Sequence, residues 1–150
     1  MGIENNIFPI NVLLVEDNPG DAQLTLMAMK ECKIKITVQT VTDGEQALEF
    51  LKKEGDFANA IRPDLILLDL NIPKKNGFEV LKEIKEDAEL RRIPVAVLTT
   101  SRAEEDILHS YNLYANCFIT KPIDFEQFTK VVKSIEDFWF TIVKLPDGEK

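Results

Sequence analysis

Histidine, cysteine and positive charge are all scarce in this chain. One histidine and two cysteines among 150 residues are too few for a Cys/His metal set. Cys32 and Cys117 are far apart and form no CxxC motif, so both read as ordinary reduced thiols. Basic side chains number 18 against 26 acidic ones, and a formal net charge of -8 repels the phosphate backbone of a nucleic acid on average. Direct nucleic-acid binding is therefore not expected, and the pairs Lys74-Lys75 and Arg91-Arg92 read as solvated surface. No apolar run approaches membrane-spanning length, and the N-terminus lacks a basic region followed by an apolar core. A cytoplasmic protein without membrane attachment is the expectation.

The composition, 45% apolar and 29% charged, is that of a globular domain, and the chain suits a single one, residues 1–150. Five short apolar runs rich in β-branched residues read as strands: Val12-Val15, Ile36-Val41, Leu65-Leu68, Val95-Leu98 and Cys117-Ile119. Apolar residues recur at helical spacing between them: Leu24, Met27 and Ala28, then Ala47, Leu48 and Leu51, then Val80, Leu81 and Ile84, and last Ile107, Leu108 and Tyr111. Helix starts have local support. Asn18-Pro19 puts a capping side chain before a proline at the first helical position; Asp43, Ser101 and Asp124 precede later helices, and Ser101 with Glu104 matches a capping box. Strand then helix, five times over, predicts an α/β protein: a doubly wound parallel sheet of five strands with five helices on its two faces.

Open sheets of this kind bind ligands outside the carboxyl ends of their strands. The residues at those ends are Glu16 and Asp17, Asp69, Thr99 and Lys121. Each alone has a bland explanation: Asp69 can start a turn, Glu16 and Asp17 can favour a helix N-terminus, and Lys121 can snorkel from a strand edge. Together they describe chemistry. Three carboxylates about 5 Å apart repel by roughly 3 kcal/mol per pair at an effective dielectric near 20, so a hard divalent cation is called for. Mg2+ fits best, because it takes one or two carboxylates together with phosphate oxygens, and the backbone carbonyl of Asn71 is placed to add a ligand. Asp69 can then serve as a nucleophile toward phosphorus, with Lys121 and the Thr99 hydroxyl compensating phosphoryl oxygens.

The acidic pair Glu16-Asp17, Asp69 with Asn71-Ile72-Pro73, Gly77, Thr99 and Lys121-Pro122 stand in the order and spacing of a response regulator receiver domain, and the chain resembles that CheY-like family over nearly its whole length. The resemblance implies a flavodoxin-like sheet of order 2-1-3-4-5 and a phosphorelay role in which Asp69 accepts a phosphoryl group from a histidine kinase. It further implies Mg2+, for which Mn2+ substitutes, held by Asp17, Asp69, the Asn71 carbonyl and Glu16 through water. Lys121 would pair with the phosphoryl group, Thr99 and Phe118 would be the switch pair, and Lys121-Pro122 would be a cis peptide. On this reading the protein is a self-modifying switch rather than an enzyme acting on outside substrates. Two enzyme-like or cofactor-binding rivals fit less well. An aspartyl-phosphate phosphatase wants a second Asp two residues after the nucleophile, where Asn71 stands, and a flavin-binding module wants a phosphate-cradling loop where Glu16-Asp17 stand. An intermediate phosphate shuttle without its own output is a further alternative. The single histidine, His109, lies on the fourth helix and is not assigned a phosphotransfer role.

Phe125, Phe128, Val131, Val132, Ile135, Phe138, Trp139 and Ile142 carry an apolar stripe beyond what one helix face needs, so the core is expected over about 10–135 and a helical extension over about 136–146. The pair Glu16-Asp17, the run Asn71-Ile72-Pro73-Lys74-Lys75, Arg92-Ile93-Pro94, Leu98-Thr99-Thr100-Ser101 and the ending Phe138-Trp139 with Leu145-Pro146 are similar to cyanobacterial phytochrome-associated response regulators. That likeness implies a single-domain regulator, a phytochrome-like histidine kinase as partner, and a homodimer through helix 4, strand 5 and helix 5. The stretch Gly55 to Pro63 is longer than usual for the family. Glu16 stands where Asp is more usual, Phe118 where Tyr is frequent, and Thr100 where a smaller residue is often found. The bulk of Thr100 predicts slow loss of phosphate, so Thr100→Ala is expected to shorten the life of the phosphorylated protein; an unchanged decay, followed by intact mass, would refute this.

Overall fold

Two of the five strands are buried from end to end and apolar up to their last residue, which in a parallel sheet places them inside it. The computed structural model describes residues 10–31, 35–110, 115, 117–121, 123–124 and 126–131. Strand β1 spans Ile10–Val15, β2 Ile36–Val41, β3 Leu65–Asp69, β4 Val95–Thr99 and β5 Cys117–Thr120. All neighbours pair in parallel in the order β2-β1-β3-β4-β5. The expected strands are all present, and three run one residue further than expected, through Asp69, Thr99 and Thr120. The chemistry-bearing residues thus belong to the ladder or adjoin it.

Helix α1 is Pro19–Lys30, α2 Gly44–Lys52, α3 Gly77–Glu86 and α4 Arg102–Ser110, while residues 126–131 form helical backbone of a fifth. One face of the sheet packs Leu13, Ile66 and Val97 against Leu48, Val80, Leu81, Ile84 and Leu108 from α2, α3 and α4. The other packs Leu14, Leu67 and Leu98 against Met29 of α1 and Phe128 and Val131 of the fifth helix. Each fully buried Leu or Phe contributes roughly 1.5–3 kcal/mol, an upper estimate, so the two layers together hold the sheet between them.

Asn18, Asp43 and Asp124 cap as expected, accepting from the N–H groups of Asp21, Gln46 and Gln127 at 2.9, 2.7 and 2.8 Å. The box expected of Ser101 and Glu104 is different: Glu104 reaches back past Ser101 to the Thr100 N–H at 2.9 Å. A full capping box stands instead at the start of α3, between Asn76 and Glu79. The inward face of α1 also departs from expectation. Leu24 and Met27 are 44% and 51% exposed, and Thr25, Ala28 and Met29 are buried. Both triplets keep i, i+3, i+4 spacing and share Ala28, so periodicity alone does not choose between them; the buried stripe gains a satisfied hydroxyl, Thr25 Oγ1 donating to the Asp21 carbonyl at 3.1 Å. Ile107 of α4 is likewise 44% exposed while its neighbour Leu108 is buried.

The long stretch before β3 makes a 3-10 turn at Gly55–Phe57, whose Phe57 ring tilts against Phe50 with centroids 5.5 Å apart. With Asn11, Thr37 and Pro63 it borders an open-sided cavity of about 300 Å³ at the amino ends of β1 and β2. Lys74 and Lys75, read as solvated surface, pair with Asp43 and Glu83. Cys32, Tyr111, Pro122 with its expected cis peptide, Phe125, Val132, Ile135, Phe138, Trp139 and Ile142 lie outside the described residues.

Gly77 starts α3 where the chain turns back over the end of β3. Its N–H donates to the Leu70 carbonyl at 3.0 Å, and a Cβ there would stand 2.5 Å from Leu70 Cα and 2.6 Å from the Asp69 carbonyl oxygen. Backbone on both sides leaves no room to yield. Gly77→Ala is expected to cost about 1–3 kcal/mol, read as a lower urea midpoint at unchanged slope; an unchanged midpoint would show that the loop adapts freely.

Candidate functional site

The parallel register sets the strand ends level. Val15 pairs with Leu68, Asp69 with Leu98 and Thr99 with Thr120, so the residues at these positions and just beyond them line one edge of the sheet. Strand order reverses between β1 and β3, each running to a different side of the first crossover, and that is where a doubly wound sheet opens its crevice. Glu16, Asp17 and Asp69 meet there: a carboxylate oxygen from each lies within 4.8 Å of the others.

Asp69 is 2% exposed. Its Oδ1 accepts the Asn71 N–H at 3.0 Å, which folds the loop after β3 back over the carboxylate, and its Oδ2 accepts from Lys121 Nζ at 3.0 Å. Glu16 is 1% exposed, and its Oε2 accepts the Asn18 N–H at 3.2 Å. Its Oε1 lies 3.1 Å from Lys121 Nζ without the alignment of a hydrogen bond. Asp17 is exposed at the mouth.

Lys121 follows β5, anchored by its N–H to the Thr99 carbonyl at 2.8 Å, and its ammonium faces a third carboxylate, Asp21 Oδ2, at 3.0 Å. Burial works against its charge, but the carboxylates of Asp69, Asp21 and Glu16 beside it outweigh burial and hold the ammonium's pKa above the usual lysine value. Three carboxylates around one ammonium, with Asp17 beside two of them, leave three negative charges uncompensated if all ionise. The protein relieves part of this at Glu16, whose pKa is pushed up from 4.5 to about 7 by burial first and by Asp69 second, against the opposing pull of Lys121.

This donor set suits a hard divalent cation. Three carboxylate oxygens converge, one of them on a buried Glu16 whose Oε1 has no hydrogen bond among the described residues, and all are oxygen ligands of the kind Mg2+ and Mn2+ take. Thr99 is 1% exposed, and its hydroxyl likewise has no hydrogen-bond partner among the described residues. It lies at the end of β4, the strand beside β3.

Phe118 on β5 is half-buried, and the His109 ring meets it edge-on at 5.7 Å. His109 thus packs on the ring expected to be half of a switch, a contact that sequence spacing does not show. Two further residues were not expected at the site. Asp21 is the third residue of α1, where an acid ordinarily reads as complementing the helix dipole. Glu104 was assigned to a cap, yet its second oxygen accepts from the Asn71 side chain at 3.0 Å.

Known proteins place this geometry. Residues 12–133 match the response regulator receiver domain. Response regulator Rcp1 of Synechocystis sp. is 46% identical over 138 residues, 92% of this chain and 94% of Rcp1. The phosphorylated cyanobacterial phytochrome response regulator RcpA superposes with a TM-score of 0.73 at 52% identity, over 89% of this chain and 95% of that one. The Mn2+-bound form of Rcp1 superposes with a TM-score of 0.72 at 46% identity, over 90% of this chain and 97% of that one. With the sheet order, the acidic triad and the strand-end lysine in place, the chain belongs to the response regulator receiver family of two-component signalling and is close to its phytochrome-associated regulators.

Proposed function

We propose that Asp69 is the phosphoacceptor of a histidine kinase of the phytochrome type, and that the phosphorylated chain signals by contact through its α4, β5 and fifth-helix face. The observation that carries this is the placement of one buried carboxylate, Asp69, between an acidic pair and a strand-end lysine. Similarity to RcpA, whose solved form is phosphorylated, and to Rcp1 supports both the chemistry and the kind of kinase. A carboxylate oxygen of Asp69 attacks phosphorus; the new O–P bond forms as the N–P bond to the kinase histidine breaks, and the imidazole leaves with the electron pair.

Lys121 lies beside Asp69 Oδ2 and is ready to follow the charge onto a phosphoryl oxygen. The Thr99 hydroxyl donates to another, gaining the partner it lacks among the described residues. Burial of Asp69 and Thr99 keeps these charges in a low-dielectric setting, where each interaction counts for more than in water. Glu16, Asp17, Asp69 and the Asn71 carbonyl would hold Mg2+ or Mn2+, which would supply the positive charge that offsets the carboxylates and the incoming phosphoryl group. Phe118, packed against His109, is the second member of the switch pair. A homodimer on the same face, with the C-terminal aromatic residues Phe138 and Trp139 contributing, fits the apolar excess of that segment.

Incubation with acetyl phosphate and Mg2+ is expected to add one phosphoryl group by intact mass, and none in Asp69→Ala; an unmodified protein, or modification that survives the substitution, would overturn the assignment. The titration of Glu16 gives a second expectation. Between about 4.5 and about 7 the folded chain holds a proton that the unfolded chain has released, so metal-free stability falls as pH rises through that window. Metal binding needs that proton gone, so Mg2+ affinity rises over the same window. Urea midpoints in chelator and Mg2+ titrations below and above it check both trends, and a flat or opposite dependence would remove Glu16 from the metal site.

A further inference from the structure

We infer that Glu104 is a positioning residue that straps the switch loop to the phosphoacceptor loop and holds the unphosphorylated arrangement in place. The inference rests on Asp69 being the phosphoacceptor. It starts from an unusual use of one carboxylate. Glu104, in the first turn of α4, accepts the Thr100 N–H on Oε1 at 2.9 Å and the Asn71 side-chain amide on Oε2 at 3.0 Å. A capping glutamate needs only the first kind of bond, to backbone just ahead of its own helix. The second reaches a loop 33 residues away in sequence.

The partners make the bridge consequential. Asn71 donates its N–H to Asp69 Oδ1, so a continuous hydrogen-bonded path runs from Asp69 through Asn71 and Glu104 to Thr100. Thr100 adjoins Thr99, whose buried hydroxyl has no hydrogen-bond partner among the described residues. The strap's role requires that the backbone at Thr99 and Thr100 shifts toward Asp69 when that hydroxyl closes on a phosphoryl group. Glu104 resists the shift by fixing the Thr100 N–H, and its negative charge stands beside the loop that flanks an incoming anion. Both effects favour the unmodified state.

Charge-assisted hydrogen bonds of this kind are strong enough to be felt in a rate. Glu104→Ala is expected to raise the rate of Asp69 modification by acetyl phosphate by about threefold or more, since loss of even one such bond from the resting state changes a rate by that order. Glu104→Gln, which keeps an acceptor for the Thr100 N–H without the charge, is expected to fall between the two. Asn71→Ala cuts the other end of the strap, so the double variant should be no faster than the faster single one; a local loss of helix stability would not produce that coupling. In the unmodified protein, Glu104→Ala should also shift the Thr100 amide resonance and speed its hydrogen exchange. Wild-type protein that is modified at Asp69 while Glu104→Ala and Glu104→Gln keep its rate, or single effects that simply add, would overturn the strap and leave the phosphoacceptor standing. Wild-type protein that takes no phosphoryl group would overturn both.

Discussion

Lys121 Nζ lies 3.0 Å from Asp69, 3.0 Å from Asp21 and 3.1 Å from Glu16, and the arrangement of the site follows from that crowding. One ammonium cannot balance the carboxylates gathered around it. Burial first and the imbalance second raise the pKa of Glu16; the surrounding carboxylates hold Lys121 charged despite its partial burial and make the cluster a ready ligand set for a divalent cation. The same contacts tie β1, α1, β3 and the end of β5 together at one edge of the sheet, so the electrostatics of the site and the closure of the fold are one set of interactions.

That set is affordable because the strands beneath it are apolar and buried. β3 and β4 are buried along their whole length and present Asp69 and Thr99 at their last positions. The layers above and below stabilise the sheet by burial, and a few polar residues are held at its rim at the expense of some of that stability. Gly77 shows how little room this leaves, since the loop after Asp69 turns back so closely that even a methyl group would meet backbone. His109 and Glu104 extend the rim into α4. One packs on Phe118 and the other bridges to Asn71, so two contacts couple the helix expected to signal to the residues expected to sense.

Much of the architecture was legible in order and period. The strands Ile36–Val41 and Val95–Thr99 announce themselves as β-branched runs, and Asn18, Asp43 and Asp124 cap where short polar side chains precede helical period. The face of α1 was not legible, because Leu24, Met27 and Ala28 make as good a stripe as Thr25, Ala28 and Met29 until a sheet is there to choose. Asp21 and Glu104 were hidden for another reason: each sits in the first turn of its helix, where local electrostatics already explains an acid.

The sequence by itself determined the alternation of strand and helix, the five strand-end positions and the residue types at them, since periodicity and short-range capping are local properties of a chain. It therefore carried the acidic pair, Asp69, Thr99 and Lys121 as a set. Only the tertiary structure decided which groups share one ammonium, how far burial shifts Glu16, and which loop the second oxygen of Glu104 reaches. Those depend on distances across β1, β3, β4 and β5 between residues far apart in the chain. Hydrogen bonds and Coulomb interactions act through such distances and not through sequence separation.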